Sequence, residues 1–174
     1  MKKTLLVCFT VVFAVTILVG VINNMVSNHS FSVPYTKELG TAAYDHNGIY
    51  VNAALEGGYT SFTLPTWVHR VSWIRIYARA KLAEAHAMQL QTYVYGATDN
   101  ETYTTETINI TKNSTSTNFA DGDIIYWELT SADDVDLGHL TGGDSCVLIS
   151  YYAIADGANC ETDCYLQNIQ VGVY

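Results

Sequence analysis

Two regimes of hydrophobic patterning divide the chain. From Thr4 to Ile22 runs TLLVCFTVVFAVTILVGVI, with no charged side chain; after about Ile49, apolar residues come in short runs broken by Gly, Asn, Asp and Thr. The first regime predicts a helix: nineteen uncharged residues at ~1.5 Å each give about 28 Å, close to the hydrocarbon thickness of a bilayer. Lys2 and Lys3 precede it and the next basic residue is Lys37. By the positive-inside rule this puts the N-terminus in the cytoplasm and everything from about Asn23 outside, a single-pass placement. A cleaved secretory signal is the alternative, because the lysine-rich start suits it. Against that, the run is long for a signal core and no Ala-x-Ala site follows. The expected organisation is a hydrophobic helix over 1–22 (membrane anchor, filament core or signal peptide), a polar linker over 23–40, and a folded domain over 41–174.

The second regime predicts strands at Ile49–Leu55, Thr60–Leu64, His69–Ala80, Ala87–Tyr95, Thr104–Thr111, Asp123–Thr130, Ser145–Ala155 and Tyr165–Tyr174. In His69–Ala80 the residues Ile74, Ile76, Ala78 and Ala80 fall on one side, and Trp73, Arg75, Tyr77 and Arg79 on the other. In Ala87–Tyr95, Met88, Leu90 and Val94 oppose Gln89, Gln91 and Tyr93. Such alternation belongs to strands with one buried face. Ala80–Ala87 is rich in helix formers, but it is short and lies between two strands. Eight strands with a turn every 10 to 15 residues predict an all-β, antiparallel β-sandwich, a jelly roll preceded by one hydrophobic helix.

A short internal echo supports this reading. Phe119-Ala-Asp-Gly-Asp123 and Leu140-Thr-Gly-Gly-Asp144 each place Gly-Asp directly before a strand, where Gly permits the turn and Asp caps loose N–H groups. These paired strand starts resemble jelly-roll modules of the tumour-necrosis-factor and complement-C1q type, and single-jelly-roll viral capsid and fibre proteins. The stretch Tyr59-Thr-Ser-Phe-Thr-Leu-Pro-Thr-Trp67 and the strand Ser72–Ala80 also look like viral structural domains. The resemblance covers Tyr59 to Tyr174 and implies a structural subunit; it brings no catalytic residue with it. Pilins too join an apolar N-terminal helix to a β-sandwich, but here Lys3-Thr4-Leu5 stands where a pilin processing site would need a small residue.

Composition narrows the function classes. Apolar residues make up 49% and charged ones 14%, with 8 Lys+Arg against 17 Asp+Glu, a net charge of −9. The apolar content excludes a disordered chain, and eight basic residues do not furnish a face for nucleic acid. Catalytic residues are not expected: the five histidines are scattered, no zinc motif or Gly-x-Ser-x-Gly elbow is present, and the chain reads as a non-enzyme. Asp133, Asp134 and Asp136, followed by Gly138, form a calcium candidate, the one possible cofactor, since calcium takes six or more oxygens. Sequons stand at Asn28, Asn100, Asn109 and Asn113, and the last three are expected glycan acceptors.

Cys8 lies in the apolar run; Cys146, Cys160 and Cys164 cluster late. If the last two strands form a hairpin, Cys160 and Cys164 flank its loop while Cys146 falls out of reach, which predicts a Cys160–Cys164 disulfide. Trp73, Arg75, Tyr77 and Arg79 are the residue types that dominate interfaces, so their side is the expected assembly surface. The tyrosines and tryptophans also suit a sugar-stacking platform. The leading expectation is a self-assembling structural subunit of a virion, such as a capsid or spike protein. Its partners would be copies of itself, a membrane through residues 4–22, and no nucleic acid, at a virion or cell surface or secreted. The alternatives are a pilin-like filament subunit and an adhesin or carbohydrate-binding module with glycans as partners.

Overall fold

Alternation along β6 (Val71–Ala80) sets the frame: Ile74, Ile76, Ala78 and Ala80 are buried, while Trp73, Arg75 and Tyr77 are half-buried on the outer side and Arg79 is exposed. In a computed structural model, residues 29–97 and 106–174 are described. The other strands are β1 (His29–Pro34), β2 (Lys37–Leu39), β3 (Ala43–Asp45), β4 (Gly48–Val51), β5 (Gly57–Thr63), β7 (Gln89–Ala97), β8 (Glu106–Asn113), β9 (Ile124–Thr130), β10 (Ser145–Tyr152) and β11 (Cys164–Val173), with a 3-10 turn at Val135–His139. All pair antiparallel.

One sheet runs β3-β4-β11-β6-β9, with β1 also laid along β11; the other runs β2-β5-β10-β7-β8. Taken from β4 onward, each step along the chain changes sheet except β7 to β8, giving β4-β11-β6-β9 and β5-β10-β7-β8. That interleaving is the jelly-roll order of two Greek keys, and it follows the eight strands expected from the pattern. The inward rows of both sheets meet in one core, which includes Ile74, Trp127, Ile169 and Val171 from one side and Leu90, Val94 and Leu148 from the other. Among the polar groups that enter it, the Trp127 indole N–H donates to the Met88 carbonyl at 2.8 Å, and the Tyr35 and Ser150 hydroxyls bond to each other at 2.6 Å.

The Gly-Asp echo is a repeated turn. Gly122 and Gly143 lie at φ 92° and 96°, the left-handed region where a side chain would be strained. In each turn the aspartate accepts an N–H from three residues back, Ala120 to Asp123 at 2.8 Å and Thr141 to Asp144 at 2.7 Å.

Several expectations need correction. Residues 29–39, read as linker, carry β1 and β2; β1 pairs with β11 from His29↔Val173 to Pro34↔Asn168. Its polar outer side hid it, because Ser30, Ser32 and Pro34 face solvent while Val33 alone is buried. The last two strands are not a hairpin: β10 belongs to one sheet and β11 to the other, so residues 153–163 cross between layers. The Cys160–Cys164 bond that rested on that hairpin is not formed, and both are free thiols. Cys164 turns into the core, whereas Cys160 sits at a bridge to Met88 with its sulfur 4.0 Å from the His86 carbonyl. The single-pass placement is corrected as well: no helix among the described residues is long and apolar enough to cross a membrane. The segment Thr4–Ile22 on which it rested lies outside the described residues, as do Asn28 and Asn100.

Candidate ligand-binding site

Wherever a strand of a sandwich buries every second residue, the residues between them form the outer face of its sheet. On β7 the buried side is Leu90, Thr92 and Val94, so Gln91, Tyr93 and Tyr95 stand outward. On β10, Cys146, Leu148 and Ser150 are buried, and Ile149 and Tyr151 face outward. Register brings the two rows together, with Tyr93 opposite Ile149 and Gln91 opposite Tyr151. On the other flank Asn109 and Thr111 of β8 stand opposite Tyr93 and Gln91.

Gln91, Tyr93, Tyr95, Ile149 and Tyr151 line a trough of about 400 Å³, walled at one end by Leu55 and Tyr152. A second hollow of about 250 Å³ shares Leu55, Gln91 and Tyr152 and runs on toward Thr111 and Ile154. The Tyr93 and Tyr95 rings are parallel with centroids 6.3 Å apart, and Tyr151 meets Tyr93 edge-on at 5.9 Å. The Gln91 amide donates to the Tyr93 hydroxyl at 2.8 Å and to Asn109 Oδ1 at 3.4 Å. With that oxygen already accepting, the Tyr93 O–H has its own proton to give. The Tyr152 hydroxyl donates to Glu161 at 2.6 Å, and this carboxylate, followed by burial, pushes the phenol up to about 12. It stays a neutral donor at any physiological pH.

Leu55 is 80% exposed at the rim and sits at φ 71°, a conformation that costs a leucine about 1–2 kcal/mol. The turn holds it there through buried Glu56, whose carboxylate accepts from the N–H groups of Asn52 and Ala53 at 2.9 and 3.1 Å and from the Thr41 hydroxyl at 2.6 Å. Burial works against the Glu56 charge, but those donors outweigh it and hold the carboxyl below the ordinary value.

The residues singled out from sequence lie elsewhere, except one. Asn109 stands exposed beside Tyr93; Asn113 ends β8. Asp133, Asp134 and Asp136 do not converge. Asp133 takes the Lys112 ammonium and, at 2.8 Å, the Thr130 N–H. Asp134 caps the 3-10 turn by accepting the Asp136 N–H, and Asp136 faces His139 at 3.5 Å. Among the described residues no group of three or more His, Cys, Asp or Glu is placed to hold a metal ion.

On the outer face of the first sheet, Arg75 pairs with Glu128 at 2.5 Å and lies over the Trp73 ring at 4.3 Å. Tyr77 packs on Tyr126 at 5.4 Å, and Arg79 is exposed at the end of the row. The Trp73 indole lies so close over Gly172 that a Cβ there would stand 2.1 Å from the ring.

Sequence alternation put Gln91 and Tyr93 on one side of β7, but the trough as a site was missed. Its other half comes from β10, some fifty residues away, and only the Tyr-x-Tyr spacing at 93 and 95 marked an outward aromatic row.

No family model matches this chain, and no curated protein does either. Some solved structures resemble it distantly. One is the carbohydrate-binding module CBM36 in complex with calcium and xylotriose, at 14% identity and TM-score 0.49, covering 81% of this chain and 98% of that one. Another is the xylan-binding module CBM15, at 13% and 0.47, covering 84% and 97%. The human polyomavirus 7 VP1 pentamer is more distant, at 12% and 0.29, covering 84% and 94%. At these identities and TM-scores the likenesses carry no function over to this chain.

Proposed function

We propose that this protein is a non-enzymatic glycan-binding module, with the trough on β7 and β10 as its site. The observation that carries the reading is the convergence of Tyr93, Tyr95 and Tyr151 with the Gln91 amide in one outward trough. Small-ligand sites are concave, mostly apolar or aromatic, and oriented by a few polar groups. Tyrosine rings offer faces to the C–H side of a sugar ring at low entropic cost, and amides and hydroxyls meet its hydroxyl groups. Immobilised glycans should retain the full chain, and Tyr93→Ala should weaken that binding by about 2 kcal/mol, some thirtyfold. Since Tyr93 lies outside the core, the variant should keep its thermal midpoint. Unchanged affinity in Tyr93→Ala would remove the trough from consideration.

A second reading, a self-assembling structural subunit, is favoured by the Trp73, Arg75, Tyr77 and Tyr126 cluster on the opposite face. It predicts oligomers in sedimentation that Tyr77→Ala with Arg79→Ala disperses.

A further inference from the structure

Resting on the glycan reading, we infer that the trough selects an uncharged oligosaccharide chain over an acidic one. None of the side chains lining either hollow is charged. A uronate or sulfate buried there would lose water and gain no ammonium or guanidinium, the groups that recognise such anions.

The cations among the described residues are placed elsewhere. Arg70 lies over Tyr174, Arg75 pairs with Glu128, Lys112 pairs with Asp133, and Lys81 lies near the Tyr165 ring. Among the described residues only Lys37 joins the trough's sheet on its outward rows, opposite Tyr59 and beyond β5 from the tyrosines. A fixed charge at the trough's wall is negative, since Glu161 accepts the hydroxyl of Tyr152. The whole chain's net charge of −9 adds to the repulsion.

Length points the same way toward a chain rather than a single sugar. From Gln91 to Tyr95 the strand covers about 14 Å, and the second hollow continues the trough past Gln91. That exceeds one pyranose ring.

The test is affinity electrophoresis of the full chain through gels holding xylan, mixed-linkage β-glucan, polygalacturonate or alginate, at about 0.01 M and about 1 M salt. At least one neutral polymer should retard the protein equally at both salts, while the acidic pair bind at least tenfold more weakly at low salt. Acidic polymers that bind as tightly as the neutral ones, with retardation fading as salt rises, would overturn the charge inference and leave the glycan reading standing. If none of the four retards the protein, the inference and the glycan reading fall together.

Discussion

Leu55 and Glu56 occupy neighbouring positions with opposite effects on the fold. Leu55 pays for an exposed, left-handed placement, so Leu55→Gly should relieve about 1–2 kcal/mol of backbone cost while adding roughly 0.5–1 kcal/mol of unfolded-state entropy. The expected outcome is a thermal midpoint higher by a few degrees together with glycan binding weakened several-fold, because the apolar rim is gone. A variant both less stable and equally tight would show that Leu55 serves the turn and not the trough. Glu56 works in the other direction. Its carboxyl lies below the ordinary value when folded, so the stability it contributes is complete above about 4.5 and is lost as pH falls through the lower, folded value. Glu56→Gln should cost about 1–3 kcal/mol at neutral pH. Thermal melts between pH 7 and pH 3 should then show the two proteins converging toward the acid end.

At the scale of elements, the β7–β8 register has a testable outcome. It sets Asn109 beside Tyr93, so one asparagine is both a sequon and part of the trough's flank. Produced in a eukaryotic secretory pathway, chains carrying a glycan on Asn109 should lose retention on immobilised glycans, and enzymatic removal of that glycan should restore it. Retention by the fully modified protein would place the ligand elsewhere. The elements themselves were legible in the sequence wherever one face is buried. The β6 alternation of Ile and Ala with Trp, Arg and Tyr announced both its strand and its buried side. Short edge strands were not legible: β1 buries Val33 alone and β2 nothing fully, which leaves little period-two signal. The late strands were found, but their partners were misjudged, because chain adjacency suggests a hairpin and the crossover at 153–163 separates them into two sheets. The candidate site shares that difficulty, since Tyr93 and Tyr151 meet only through a non-local pairing.

For the molecule as a whole, the jelly-roll order makes β11 the strand that closes the first sheet, flanked by β6 on one side and by β4 and β1 on the other. The two functional readings use opposite outer faces of this one sandwich, so a chain engaged through Trp73 and Tyr77 keeps the Tyr93 trough clear. The pairing of β1 with β11 has a mechanical corollary. His29 stands across from Val173, so the first described residue and the end of the last strand leave the sheet side by side. Tension drawn between those two points loads their hydrogen bonds one at a time, as a zipper opens, instead of shearing the whole row at once. Under such a pull β1 peels away first, while β6, still bonded along the other side of β11, keeps the two-layered core closed.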